Sequence, residues 1–192
     1  MERISAGEAR DHLEMVDRIL AESHQRLCAG GEFFVVWGVA SAALTLLFTL
    51  SGAGTLPPAA VWVGALVLVA AAAFSAVRGR QLRREVARTS LVQREFFNVL
   101  WLTIVLAIVV NVAAFRIFSG LASAAIWSVA EAIVLLYIGL HGNRRAQAAG
   151  VLVVVSLIVA NFVGDAIAPY VLAGGMLAGY GGFGASELLA RD

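Results

Sequence analysis

The chain has 192 residues, of which 60% are hydrophobic and 14% are charged, and its formal net charge is +1. A soluble domain is usually about 45–50% apolar and about 25% charged, so this composition indicates a membrane protein. The small net charge gives no basic field for nucleic acid, and the single cysteine excludes an intrachain disulfide.

The first predicted element is an amphipathic helix over residues 5–27. Ser5 and Glu8 have the spacing of a capping box. Leu13, Val16, Leu20 and Leu27 then recur on one helical face. The face has two interpretations: it lies on the membrane or on the protein's own bundle, or it binds a partner protein. Acids outnumber bases in this segment, which disfavours simple adsorption to anionic lipid.

The remaining apolar residues form long runs, each close to the roughly 20 residues that cross a bilayer. The predicted spans are about 33–50, 59–77, 96–118, 121–140, 146–163 and 167–189. The predicted fold is therefore an all-α polytopic membrane protein. Its residues 31–192 form a six-transmembrane-helix bundle, and residues 1–30 form a cytoplasmic or interfacial helix.

Arginine placement predicts the orientation of these spans. Six arginines lie between residues 78 and 94, and Arg144 and Arg145 follow the fourth span. Short arginine-rich loops stay in the cytoplasm, so both termini are predicted to be cytoplasmic. Arg116 and Asp165 then end spans on the outer side, where we expect them to pair.

The fourth span, residues 121–140, contains one charge near its middle, Glu131. A carboxylate at this depth costs on the order of 2.5 kcal/mol or more, so it should face protein or water. Two interpretations remain open. Glu131 is a proton, cation or ligand site, or it is a neutral carboxyl hydrogen-bonded between helices.

Four other polar or aromatic residues are candidates for ligand binding or coupling. Ser128 and Trp127 lie on the face of Glu131, and an aromatic ring there could hold an organic cation, although packing is its commoner role. Asn111 is predicted to lie at nearly the same depth and to be the partner of Glu131. Asn161 is closer to the outer surface. Buried amides in membrane helices commonly join helices.

The last span is rich in glycine: Gly175 and Gly179 are four residues apart, and Ala178 and Gly182 repeat this spacing. Small residues at such spacings allow close helix contact, either within the bundle or in a homo-oligomer. The sequence contains no GxSxG motif and no histidine cluster with metal-ligand spacing. We therefore predict no enzymatic activity, no metal and no cofactor.

Three features together resemble a loose group of small bacterial six-span membrane proteins of unknown function. They are the amphipathic N-terminal helix, Gly30-Gly31 followed by Trp37-Gly38, and the glycine-rich end of the chain. The resemblance implies a bacterial inner-membrane location and no particular activity. The predicted function is to bind a partner protein or a small amphipathic ligand in a regulatory or assembly role. The alternative is a proton- or cation-coupled transporter that uses Glu131.

Overall fold

The computed structural model describes Met15 and residues 30–85, 91–113 and 120–190, without the side chains of residues 82–85 and 91–97. The helices are α1 (Gly31–Gly52), α2 (Ala60–Glu85), α3 (Leu91–Ala113), α4 (Leu121–Leu140), α5 (Arg144–Ala160), α6 (Ala168–Met176), a π-helix (Leu177–Gly181) and α7 (Gly182–Leu189). No strand occurs in these ranges, so the all-α class is confirmed. The predicted helix over residues 5–27 and the predicted domain 1–30 lie outside the described residues, apart from Met15 and Gly30.

Three helices are long and apolar enough to cross a membrane, namely Gly31–Gly52, Ala60–Gln81 and Leu121–Leu140. Asn98–Ala113 is a shorter apolar helix. Large apolar side chains cover the surface of the described helices, and Trp62 is 75% exposed. Such a surface is unfavourable in water and suits the interior of a bilayer, where lipid chains cover it.

The other helices differ from the predicted spans in length or regularity. Helix α5 has 17 residues and ends at Ala160, because Asn161 leads into a turn. The predicted last span is divided between α6, the π-helix and α7, which follow one another without a break in helical backbone. We call residues 168–189 the C-terminal rod. Pro169 stands at the start of this rod, where its missing N–H is not needed.

The helices pack in the order α2, α1, C-terminal rod, α5, α4 and α3. The rod lies between α1 and α5, and α5 packs along α4. Helix α2 packs against α1 and helix α3 against α4, but α2 and α3 make little or no contact with each other in the described ranges. In the described ranges, helices α1 and α4 meet only over a short stretch.

Three side-chain contacts fix α2 to α1. Arg78 donates two hydrogen bonds to the Glu32 carboxylate, at 2.6 and 3.0 Å. Trp37 Nε1 donates to Ser75 Oγ at 2.9 Å, so this tryptophan faces α2. The rings of Phe33 and Phe74 meet edge to face at 6.0 Å. These contacts make α1 and α2 an antiparallel hairpin.

Candidate functional site

The buried carboxyl group of Glu131 is the centre of the candidate site. Glu131 lies in the middle of α4 and is 7% exposed. Ser128, Leu135 and Ile138 lie on the same face of α4 and are almost fully buried, as their spacing from Glu131 predicts. Trp127 is partly buried one turn earlier. This face of α4 therefore points into the protein, and the carboxyl group is shielded from lipid.

Among the described residues, the side chain of Ser41 on α1 hydrogen-bonds to the Glu131 carboxyl group. The second carboxyl oxygen, Oε2, is buried and has no hydrogen-bond partner among the described residues. Leaving a buried polar atom unsatisfied costs about 1–3 kcal/mol, and more for a charged group. Such atoms are rare in native structures, and each one calls for an explanation such as a ligand or a functional role.

Tyr180 brings the C-terminal rod to the same place. Its side chain is buried, and it lies within electrostatic range of Glu131. Its ring packs against Phe34 at 4.9 Å, and Phe34 contacts Phe183 at the same distance. The site therefore lies where α1, α4 and the rod meet.

Tyr180 belongs to the π-helix, Leu177–Gly181. A π-helical turn contains an extra residue, and such turns occur frequently at functional sites. The extra residue rotates the residues that follow it by about 100°, the angle between successive residues of an α-helix. Glu131 and the π-helix both lie near the middle of their helical segments, and Tyr180 of the π-helix lies within electrostatic range of Glu131.

Asn111 does not take the place that the sequence predicted beside Glu131. Its amide donates to Ala107 O at 2.9 Å and its carbonyl accepts a hydrogen bond from Ser123. Ser123 is eight residues before Glu131 on α4, which is about 12 Å along the helix. Asn111 therefore joins α3 to α4 close to their connection, because the register of this hairpin sets 111 opposite 123.

Asn161 lies at the surface, where its amide donates to Leu157 O at 2.7 Å. It ends α5 and is separated from the Glu131 site. Asp165 is exposed in the turn that follows. Its predicted partner, Arg116, lies outside the described residues, so their pairing stays a prediction.

Two of the three predicted packing glycines contact α5. A Cβ built on Gly175 would clash with the Ser156 side chain, and one built on Gly179 would lie 2.5 Å from Val153 Cγ2. Gly182 differs from the prediction, because a Cβ built there meets no described atom within 4 Å. The π-helix before position 182 contains an extra residue, so Gly182 no longer lies on the helix face that carries Gly175 and Gly179.

Gly181 and Gly184 make the contact with α1 instead. A Cβ on Gly38 would clash with the backbone of Gly181, and one on Gly184 would lie 2.5 Å from Gly31 O. We call these two pairs the glycine contact. It brings the backbones of α1 and the rod together without intervening side chains, and this close approach holds Tyr180 within electrostatic range of Glu131.

The sequence contained a signal for Ser41 that the prediction missed. Ser41, Thr45 and Thr49 recur every four residues in the first span and therefore share one face of α1. Thr45 Oγ1 donates to Met176 Sδ at 3.3 Å, and Thr49 Oγ1 donates to Thr45 O. This polar face is turned toward the rod and α4.

The described residues contain no cluster of three or more histidine, cysteine, aspartate or glutamate side chains that could hold a metal ion. Comparison with family models, curated proteins and solved structures finds no match to the chain.

Proposed function

We propose that the chain is a non-enzymatic integral membrane protein that binds a small amphipathic ligand at Glu131, in a regulatory or assembly role. The observation that carries this proposal is the buried Oε2 atom of Glu131, which has no hydrogen-bond partner among the described residues. A purely structural network would be expected to satisfy both oxygens of a buried carboxyl. A ligand with a hydrogen-bond donor would satisfy the second oxygen and remove the cost of burying it.

The apolar surroundings support an amphipathic ligand. The described parts of α2 and α3 at residues 60–77 and 98–113 contain no charged residue. Their exposed side chains are mostly leucine, valine, alanine and tryptophan. An apolar ligand body could lie against these side chains while its polar group reaches the Ser41–Glu131 junction. Ligand sites in general combine apolar walls with a few convergent polar groups.

The proposal includes a six-span bundle in a bacterial inner membrane with both termini in the cytoplasm. The arginines between residues 78 and 94 and those at 144 and 145 favour this orientation. A protein partner that binds residues 5–27, and a second copy of the chain, remain alternatives to a small ligand. Both would use surfaces other than the Glu131 site.

The proposal can be tested with full-length protein purified in mild detergent. Small molecules that co-purify with the wild type, Glu131→Gln and Asp165→Asn should be compared by mass spectrometry. Asp165→Asn is the matched control, because it removes an acid that is exposed in a turn. We expect the wild type and the control to carry the same bound molecule and Glu131→Gln to lose it.

Removing that molecule from the wild type should lower its thermal stability, and adding it back should restore it. A ligand at 100 times its Kd stabilises a protein by about 2.7 kcal/mol. Equal amounts of every co-purified molecule in the wild type and in Glu131→Gln would contradict the proposal.

The π-helix favours a second candidate, a proton- or cation-coupled transporter. Irregular helical backbone near the middle of a membrane is common at transporter binding sites, where it lines a cavity or coordinates the ion. The test is ion flux in proteoliposomes. Glu131→Gln should abolish coupled flux while leaving the fold stable, and a fully active Gln variant would exclude Glu131 as the coupling group.

A further inference from the structure

We infer that the extra residue of the π-helix, Leu177–Gly181, sets the register of the C-terminal rod, so that two different faces of the rod fit two neighbouring helices at once. Gly175 and Gly179 lie against α5, and Gly181 and Gly184 form the glycine contact with α1. A regular α-helix cannot bring both sets of glycines to their partners. The inference goes beyond the proposed function and holds whether or not the protein binds a ligand.

The glycines of the contact with α1 are required by close approach and not by backbone conformation. Gly181 and Gly182 have φ angles of −66° and −64°, which are ordinary helical values that any residue adopts. The described glycines with positive φ all lie outside the rod. A Cβ built on Gly184, however, would lie 2.5 Å from Gly31 O and 2.6 Å from Val35 N. The backbone of α1 therefore excludes a side chain at this place on the rod.

A regular α-helix continued from the first half of the rod would put a large side chain against α1. Without the extra residue, every residue after the turn would move into the place of the next one, a rotation of about 100°. Phe183 would then take the place of Gly184. Its ring cannot fit where even a Cβ meets the backbone oxygen of Gly31. The first half of the rod therefore cannot continue as a regular α-helix while α1 stays in place.

A regular α-helix that keeps the second half in place fails against α5 instead. Met176 would then take the place of Gly175, where a Cβ alone would clash with the Ser156 side chain. Met176 would also lose its present contact on α1, where Thr45 Oγ1 donates to its Sδ at 3.3 Å. Whichever half stays fixed, removing the extra residue from the turn puts a large side chain where a glycine is needed.

The end of the rod gives a separate measure of the register. Asn143 Nδ2 donates to Glu187 Oε1 at 3.2 Å, and Arg145 donates to the backbone oxygen of Ser186 at 3.3 Å. Both contacts join the rod to the start of α5. In a regular α-helix continued from the first half, Ser186 would occupy the place of Glu187. The residue that faces Asn143 therefore reports whether the extra residue is present.

The experiment deletes Ala178, which is exposed and lies within the π-helix. The shortened rod can form a regular α-helix and still keep both sets of glycines on their partners, so it should unfold at the wild-type temperature or higher. Deletion of Val155 is the matched control, because this residue is also exposed but lies in the regular helix α5. It should lower the unfolding temperature, because the buried residues Ser156 and Ala160 rotate out of place.

Cysteine crosslinking in membranes measures the register directly, in full-length protein that carries Cys28→Ser. One cysteine replaces Asn143, and a second is placed at each of residues 186–188 in turn. A disulfide requires Cα atoms about 4.4–6.8 Å apart, so the strongest crosslink identifies the residue that faces position 143. We expect the strongest crosslink at Glu187→Cys, both in the chain of normal length and after deletion of Ala178.

A shift of the strongest crosslink to residue 188 after the deletion would overturn the inference, because the rod would then have had no extra residue to lose. A strongest crosslink at residue 186 in the chain of normal length would also overturn it. So would a variant without Ala178 that unfolds as readily as the one without Val155. None of these results measures binding at Glu131, so they leave the proposed function to its own test.

Discussion

The glycine contact between α1 and the C-terminal rod gives the sharpest test of the packing that forms the site. In Gly38→Ala, the new Cβ would lie 2.6 Å from Gly181 Cα and closer still to Gly181 N. Carbon atoms pack best at about 3.5–4.0 Å, so the two helices would have to separate by roughly 1 Å. Both contacting groups are backbone, so no side chain can rotate out of the way.

The expected cost is that of overpacking, about 1–3 kcal/mol. Alanine is also a better helix former than glycine by about 1 kcal/mol, which offsets part of this cost. Gly182→Ala is the matched control, because it also lies in helical backbone and its Cβ meets no described atom within 4 Å. The gain in helix propensity is common to both variants. The difference between their unfolding free energies therefore isolates the contact, at about 1–3 kcal/mol.

The assay is reversible unfolding in mixed detergent micelles, followed by circular dichroism or by tryptophan fluorescence. Gly38→Ala should be less stable than the wild type or close to it, and Gly182→Ala should be equal to the wild type or more stable. Because Tyr180 is adjacent to Gly181, the Gly38→Ala variant should also bind the ligand less tightly. If Gly38→Ala and Gly182→Ala are equally stable, α1 and the rod do not meet through these glycines.

Three further predictions concern other parts of the chain. A double-mutant cycle on Glu32 and Arg78 should give a coupling energy of about 0.2–1 kcal/mol, because the pair is partly exposed; an energy well above this range would show that the pair is effectively desolvated. In whole cells, a cysteine at exposed Thr55 should react with impermeant thiol reagents and one at exposed Arg144 should not, whereas the reverse pattern would invert the topology. Two aspartates in the apolar face of residues 5–27 should expose that segment to protease, and unchanged cleavage would mean that the face is not buried against anything.

The sequence predicted the burial of Glu131 and the neighbours on its own helix, because helical periodicity fixes which residues share a face. Ser128, Leu135 and Ile138 lie on that face and are buried. The periodicity of α4 does not identify the partner on another helix, and the signal for Ser41 lay in the spacing of Ser41, Thr45 and Thr49 on α1. Which residues of two helices in a hairpin lie opposite each other depends on the length of the turn between them. The prediction that Asn111 lies opposite Glu131 assumed one register of α3 and α4, whereas in the structure Asn111 lies opposite Ser123.

The glycines show a second limit of periodicity. The spacing of Gly175, Gly179 and Gly182 assumes a regular α-helix, and it holds for the first two, which contact α5. It fails at Gly182 because the π-helix over Leu177–Gly181 adds a residue to the turn. Nothing in the local spacing distinguishes a π-helical turn from an α-helical one. The packing of Gly38 against Gly181 becomes evident only once α1 and the rod are seen together.

The central claim, that Glu131 holds a ligand, is tested most directly by an experimental structure of the protein prepared with its native lipids. We predict non-protein density with a polar atom about 2.7–3.2 Å from Glu131 Oε2, the range of a normal hydrogen bond. A structure in which a protein group donates a hydrogen bond to Oε2, with no non-protein density beside it, would contradict the claim.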